Sequence, residues 1–416
     1  MRRALGNWVV GEDFWDREAE LALLIEDLKE GGNVLLTAPR RIGKTSLMRE
    51  TARQIQDKFI CLQVDLQKAH SPADAIVELS MATKPYLGLW AKTTGLFDSV
   101  LSKLTSKIDS LRIDELTITL RSGITGTDWQ AKGDRLFEAL SESELPVVIF
   151  FDEVPILVNR LLQGSDYRIT AERRSETDAF MSWLRQNSIR HQKKVRMVVT
   201  GSIGFEPILH LAGLNATLNT FTPFPLRAWT NDIALSFIRA SAIEYGLNLR
   251  DGAEQQMITQ LGCCIPHYVQ VFFDRVYRYS KLRETTEITP AIIDDVYRTE
   301  MLSIQGHAEL SHLEERLKTV LGPDLYPFAL AILTEVAVTD AMDTEAADAI
   351  AKQYAIEGKL PSNSLRDILG ILEHDGYLEQ NNNHEYCFVS KLVHDWWKAR
   401  FAFGYKPAAK QKVAPR

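Results

Sequence analysis

The sequence predicts a mixed α/β protein, with a parallel sheet at its core and mainly helical segments after it. Three stretches predict this. Residues 33–48, NVLLTAPRRIGKTSLM, read as a short apolar strand, a polar loop and the start of a helix. Residues 146–153, PVVIFFDE, are apolar on both faces, as a central parallel strand requires, and end in two acids. Residues 195–202, VRMVVTGS, form another buried strand, ending in hydroxyls. All three aim polar groups at one strand end, the edge where open α/β sheets bind ligands.

The elements follow in order. Leu21, Leu24, Ile25 and Leu28 have helical spacing behind Asp16 as N-cap, and Gly31-Gly32 ends that helix. The helix after the loop runs through Arg49 and Ile55, and a strand over 59–65 ends in Asp65. Strand, helix, strand is one turn of a parallel sheet. Residues 72–107 are helical by pattern. Residues 111–120 alternate at period two ahead of Gly123 and Gly126, which predicts a hairpin or edge insertion over about 108–127. Helical patterns return at 129–140 and around Phe180, Trp183 and Leu184, and the proline-rich FTPFPL at 221–226 is expected to leave the sheet. Residues 230–279 are helical, broken at GCCIPH, 262–267, and another helix begins at Thr289-Pro290. A charged connector at 309–318 leads to helices at 326–336, 345–354 and 362–373, then two short strands around the turn NNNH. Helices followed by such a wing describe a winged helix. The expected domains are a core at 1–222, a helical lid at 223–306, a winged helix at 307–400 and a basic flexible tail at 401–416.

A chain of 416 residues suggests two or three domains. Hydrophobic content of 45% and charged content of 25% are globular values and exclude general disorder. A net charge of −7 argues against a surface built wholly to coat nucleic acid. The dispersed Cys61, Cys263, Cys264 and Cys387 suit neither a zinc site nor a disulfide framework, which implies a reducing, cytoplasmic setting. The N-terminus lacks the apolar core of a signal peptide, and no apolar run long enough to span a bilayer stands out, so no membrane is expected.

Residues 38–45, APRRIGKT, fit the phosphate-loop pattern GxxxxGK[ST] at every position but the first, where Ala38 stands for glycine. Backbone N–H groups of such a loop, opening into a helix N-terminus, cradle phosphate. Ala38, Pro39, Arg40, Arg41, Ile42, Gly43, Lys44, Thr45 and Ser46 form this cradle. Lys44 reaches the β- and γ-phosphates, and Thr45 places its hydroxyl on Mg²⁺. Asp152 holds the same Mg²⁺ through its water shell, and Glu153 polarises the attacking water. ATP or ADP and Mg²⁺ are therefore the expected cofactors. Thr200 and Ser202 either sense the γ-phosphate or cap their strand, and Arg40 and Arg41 either screen phosphate or are solvated. Arg185 or Arg190 reaches a phosphate of a neighbouring subunit as an arginine finger, or joins a surface salt bridge. The helix at 362–373 offers one arginine against two acids, and the wing carries Glu379 and Glu385, so duplex binding is disfavoured against protein contact. The basic tail keeps a nucleic-acid alternative open.

The segments FWDREAEL (14–21), APRRIGKTSL, FFDEVP, the Trp183-Leu184-Arg185 helix, VVTGS, the Gly-x-Pro-like break and VSKLVHDWW (389–397) together resemble the archaeal-type ATPases of the STAND class. These are P-loop NTPases related to AAA+ and origin-recognition ATPases. The resemblance covers about residues 7–397. It implies an ATPase core, helical lid and winged helix, slow hydrolysis, and a nucleotide-gated switch acting through partner binding or self-association. It also implies that Phe14 and Arg17 lie near the adenine and that Pro266 contacts the nucleotide from the lid. Cys264 departs from the pattern by replacing the glycine of Gly-x-Pro. The alternatives are a DNA-associated ATPase whose winged helix grips duplex, and a nucleotide-binding scaffold without turnover.

Overall fold

The computed structural model describes residues 8–102, 112–201, 204–356 and 364–408. Two compact units are present, one of Arg17–Ala38 and Lys44–Leu226, the other of Met1–Asp16, Pro39–Gly43 and Arg227–Arg416. Ser202, which the sequence singles out, lies outside the described residues, as do residues 103–111 of the predicted insertion and 409–416 of the tail.

In the sheet unit, helix α1 (Glu18–Glu30) precedes strand β1 (Val34–Thr37), α2 (Lys44–Ile55) and β2 (Ile60–Asp65). Five helices follow: α3 (Pro72–Ala82), α4 (Leu87–Gly95), α5 (Asp98–Leu101), α6 (Ile113–Ser122) and α7 (Trp129–Ser141). Then come β3 (Val147–Asp152), α8 (Val154–Gln163), α9 (Ala171–Arg190), β4 (Val195–Thr200), α10 (Phe205–Ala212) and β5 (Thr222–Pro225). The five strands form one sheet in the order β2-β3-β4-β1-β5, and every pairing is parallel. Burial explains the centre of that order. Val147 to Phe151 of β3 and Val195 to Thr200 of β4 are buried throughout, so these strands need apolar or satisfied groups on both faces. Arg196 of β4 is the charged exception; its Nε donates to the carbonyl of Leu28 at the end of α1, 3.0 Å away.

Two sequence expectations need correction here. The proline-rich residues 222–225 do not leave the sheet but form its edge strand β5, paired with β1. Thr222 N donates to Asn33 O at 2.8 Å and Leu226 N to Thr37 O at 2.9 Å, while Pro223 and Pro225 alternate with these donors. An edge strand needs donors on one side only, so proline at every second position costs no ladder bond. The period-two run at 111–120 is not a hairpin: its described part is helix α6. Leu116 and Leu120 are both fully buried, and their spacing of four serves a helix as readily as a strand.

The second unit carries α11 (Asn231–Tyr245), β6 (Asn248–Leu249), α12 (Ala253–Leu261), α13 (Pro266–Leu282), β7 (Glu287–Ile288) and α14 (Pro290–Val296). It continues with α15 (Ile304–Thr339), α16 (Thr344–Ile356), α17 (Ser364–His374), β8 (Leu378–Gln380), β9 (Tyr386–Phe388) and α18 (Lys391–Phe401). The charged residues 309–318 are part of α15 rather than a connector, and Gly322, at φ 67°, breaks that helix ahead of Pro323. Strands β8 and β9 pair antiparallel, with Leu378 opposite Phe388. Arg316 and Asp375 form a buried ion pair at 3.3 Å. Among the described residues one helical stretch, Leu310–Thr339, is long and apolar enough to cross a membrane. Its Phe328, Ile332, Leu333 and Val336 are fully buried within this unit, which is the position of a core helix. The chain after α18 is anchored as far as Ala408: Tyr405 Oη donates to Glu335 Oε2 at 2.8 Å and Ala408 N to the same oxygen at 2.9 Å.

Candidate phosphate and metal site

The loop between β1 and α2 has the backbone that its sequence requires. Gly43 sits at φ 107°, outside the range comfortable for a side chain, although a Cβ there would meet nothing within 4 Å. Glycine is needed for conformation, not for space. Arg41 also takes a left-handed conformation, at φ 70°. Ala38 is not among the positive-φ residues, so its methyl group strains nothing where the pattern carries glycine. Lys44, at the start of α2, is 7% exposed and folds back so that Nζ donates to the carbonyl of Ala38 at 2.8 Å. The first turn of a helix presents N–H groups that a phosphate can take, and the helix dipole favours the anion.

Strand β3 brings its acids to the same helix. Thr45 Oγ1 donates to Asp152 Oδ2 at 3.0 Å, and Asp65 at the end of β2 lies in register with Asp152. Burial raises the Asp152 carboxyl to about 6, the adjacent Glu153 pushes the same way, and Thr45 and Lys44 oppose them. A hydroxyl and a carboxylate within hydrogen-bond distance are a hard, oxygen-only donor pair, which suits Mg²⁺ with water and phosphate completing its shell. The raised pKa marks a carboxylate short of positive charge. A divalent cation fits that need.

Glu153 has φ 61° and ψ 30°, a left-handed conformation unusual for a residue with a side chain, at the N-cap of α8. Its N–H donates to Asp152 Oδ1 at 3.1 Å. The turn sets the two acids side by side, one on the strand end and one on the helix start. Next to them, Thr200 ends β4 in register with Leu36 of β1; it is fully buried, and its hydroxyl has no hydrogen-bond partner among the described residues. Gly201 follows because nothing larger fits, as a Cβ there would lie 2.3 Å from Cδ of Pro155.

The other sequence-selected residues are carried by other elements. Arg185 and Arg190 are exposed on the last two turns of α9. Helix α9 leads into β4, so its end lies toward the strand starts and away from Thr45 and Asp152. Arg17 is buried at the start of α1 and bonds Glu20 at 2.6 Å. In the second unit, half-buried Phe14 ends a single turn closed by its N–H to Gly11 O. Pro266 opens α13, and the Cys264 carbonyl just before it accepts from Trp229 N at 3.1 Å. Burial pushes the Cys264 thiol up to about 11. Sequence reasoning missed Trp15 and Trp229. Both rings pack on Phe237, at 5.7 and 5.2 Å between centroids, and both indole N–H groups are buried without a hydrogen-bond partner among the described residues. A tryptophan next to Phe14 and another two residues before Asn231 carry no pattern that marks them in advance.

No family model matches this sequence, and no curated protein matches it. Solved structures do. A Walker-type ATPase of Pyrococcus abyssi superposes with a TM-score of 0.62 at 18% identity, covering 95% of this chain and 99% of that one. The ORC2 protein of Aeropyrum pernix, solved as ADPNP-ADP complexes, gives a TM-score of 0.53 at 11% identity, covering 96% and 98%. The likeness is one of fold: like these solved structures, the chain carries a parallel α/β sheet followed by a mainly helical region, as the sequence predicts.

Proposed function

We propose that this chain is a Mg²⁺-dependent ATPase that works as a nucleotide-gated conformational switch. One observation carries the reading: Thr45 and Asp152, 107 positions apart in sequence, are hydrogen-bonded at the mouth of a phosphate loop, with Glu153 beside them. Thr45 and Asp152 would hold Mg²⁺, which would supply positive charge to offset that of the phosphates. Lys44 exchanges the Ala38 carbonyl for phosphate oxygens. Thr45 and Asp152 hold the cation's shell, and the Glu153 carboxylate orients water and accepts its proton. The unpartnered Thr200 hydroxyl is the group suited to read the γ-phosphate. Phe14, Arg17 and Pro266 take the adenine and lid contacts that the resemblance implies. Arg185, displaced from its own phosphate loop, can serve only a neighbouring copy.

The switch acts through partner binding or self-association, and turnover is slow. Light scattering after size exclusion, with and without ATP and Mg²⁺, tests it on wild type and Glu153→Gln. The switch predicts a nucleotide-dependent change in mass or hydrodynamic size that Glu153→Gln prolongs. Identical profiles in every condition sink it.

A further inference from the structure

Strand β3 ends at Asp152 and helix α8 begins at Val154, so the two dihedrals of Glu153 set the direction in which α8 leaves the strand. They are left-handed, φ 61° and ψ 30°. A side chain held there costs free energy, and the conformation persists only where its surroundings over-determine it. The loop between β2 and α3 does so from two sides. On the strand side, Leu66 N donates to the backbone carbonyl of Asp152 at 2.9 Å. On the helix side, Nη1 of Arg160 donates to the carbonyls of Gln67 at 2.5 Å and Ala69 at 2.9 Å. The loop is itself anchored: Leu66 and Ala69 are buried, and Ala69 N donates to Leu66 O at 3.1 Å. One short loop therefore grips the residue before Glu153 and the helix after it.

Arg160 stands about 9 Å along α8 from its first residue, so it acts on the helix with a long lever. It forms no ion pair among the described residues, and its hydrogen bonds go to backbone carbonyls. Bonds from a charged donor are roughly twice as strong as neutral ones. A guanidinium used in this way fixes backbone rather than balancing a carboxylate. We propose that Arg160 is the positioning residue for Glu153: by pinning α8 to the β2–α3 loop, it holds the Glu153 carboxylate where it can take a proton from water. This rests on the reading of Glu153 as the group that accepts that proton. Loss of Arg160 then acts on turnover through Glu153 and leaves nucleotide binding, carried by Lys44 and the loop amides, intact.

Single-turnover hydrolysis of ATP with Mg²⁺ and binding of a fluorescent ATP analogue test this, both on the full chain below the Tm of every variant. Arg160→Met keeps the length of the side chain and deletes its donors. It should lower the hydrolysis rate constant by about 10- to 100-fold and leave the Kd of the analogue unchanged. Arg160→Lys keeps a cationic donor for one carbonyl and should recover part of the rate. The deciding arm is the cycle with Glu153→Gln. If Arg160 acts through the carboxylate, Arg160→Met costs nothing further once the carboxylate is gone, whereas a general loosening of the fold lowers the rate equally in both backgrounds. A wild-type rate in Arg160→Met, or an equal loss in both backgrounds, overturns the proposal and leaves Glu153 its role. A Glu153→Gln variant with full turnover overturns the reading of Glu153 itself, and this proposal with it. Should Arg160→Met fail to fold, Arg160→Lys takes its place in the cycle, with the same outcomes required.

Discussion

The hydroxyl of Thr45 reaches Oδ2 of Asp152 across 3.0 Å, tying the first turn of the phosphate-loop helix to the end of a central strand. The bond brings together the two oxygens that a cation would take. Thr45→Val keeps the shape and deletes the oxygen, whereas Thr45→Ser keeps the oxygen. Titration of a fluorescent ATP analogue should show about 10- to 100-fold weaker binding for the valine variant with Mg²⁺ present. The serine variant stays close to wild type. In EDTA the three proteins should differ little, because the lost oxygen acts through the metal.

The same aspartate predicts a pH signature for the protein without nucleotide. Its pKa of about 6 in the fold lies above the ordinary 3.8, so the folded state prefers the protonated carboxyl. The ionised form costs stability above about pH 6, and that cost fades as pH falls toward 4. A shift of this size corresponds to about 3 kcal/mol. Asp152→Asn removes the charge and retains an oxygen for Thr45. Urea unfolding should find it more stable than wild type at pH 8 and equal to it near pH 4. An equal difference at both values would show that burial of the charge is not the cause.

Glu153 gives a stability–activity contrast. A side chain held at φ 61° costs on the order of 1 kcal/mol that glycine avoids. Glu153→Gly should raise Tm by a few degrees and abolish turnover. Glu153→Gln keeps the strain and Tm but lowers phosphate release by about 100-fold or more, with nucleotide affinity retained. A glutamine variant with full turnover assigns the water to another group.

Much of this site can be read in the sequence, for a physical reason. A central parallel strand must be apolar on both faces, so PVVIFFDE and VRMVVTGS announce themselves and place their polar ends at one edge. Lys44, Thr45 and Asp152 follow from that placement. Strand β5 is not legible, because its prolines read as breakers until the pairing with β1 shows that only alternate residues donate. Helix α6 is misread because Leu116 and Leu120 satisfy periods of two and of nearly four alike. The Asp134–Asn187 pair joins two helices 53 positions apart, and no local pattern records such a partner.

Gly201 and Pro155 form a packing pair whose coupling can be measured. A Cβ at position 201 would lie 2.3 Å from Cδ and 2.5 Å from Cγ of Pro155, and 3.3 Å from its Cβ. Gly201→Ala must therefore push β4 and α8 apart just beside Thr200 and Glu153. Overpacking of this kind costs about 1–3 kcal/mol. Pro155→Ala removes the two atoms in closest conflict, at the cost of a residue well suited to the first turn of α8. If the contact is the cause, Gly201→Ala costs clearly less in the Pro155→Ala background than alone. Urea unfolding of the four proteins gives that coupling directly, at about 1 kcal/mol or more. Additive losses would mean that the glycine is needed for its backbone and not for its closeness to proline. Turnover should follow the same cycle, because the displaced residues flank the Thr200 hydroxyl and the strained turn at Glu153.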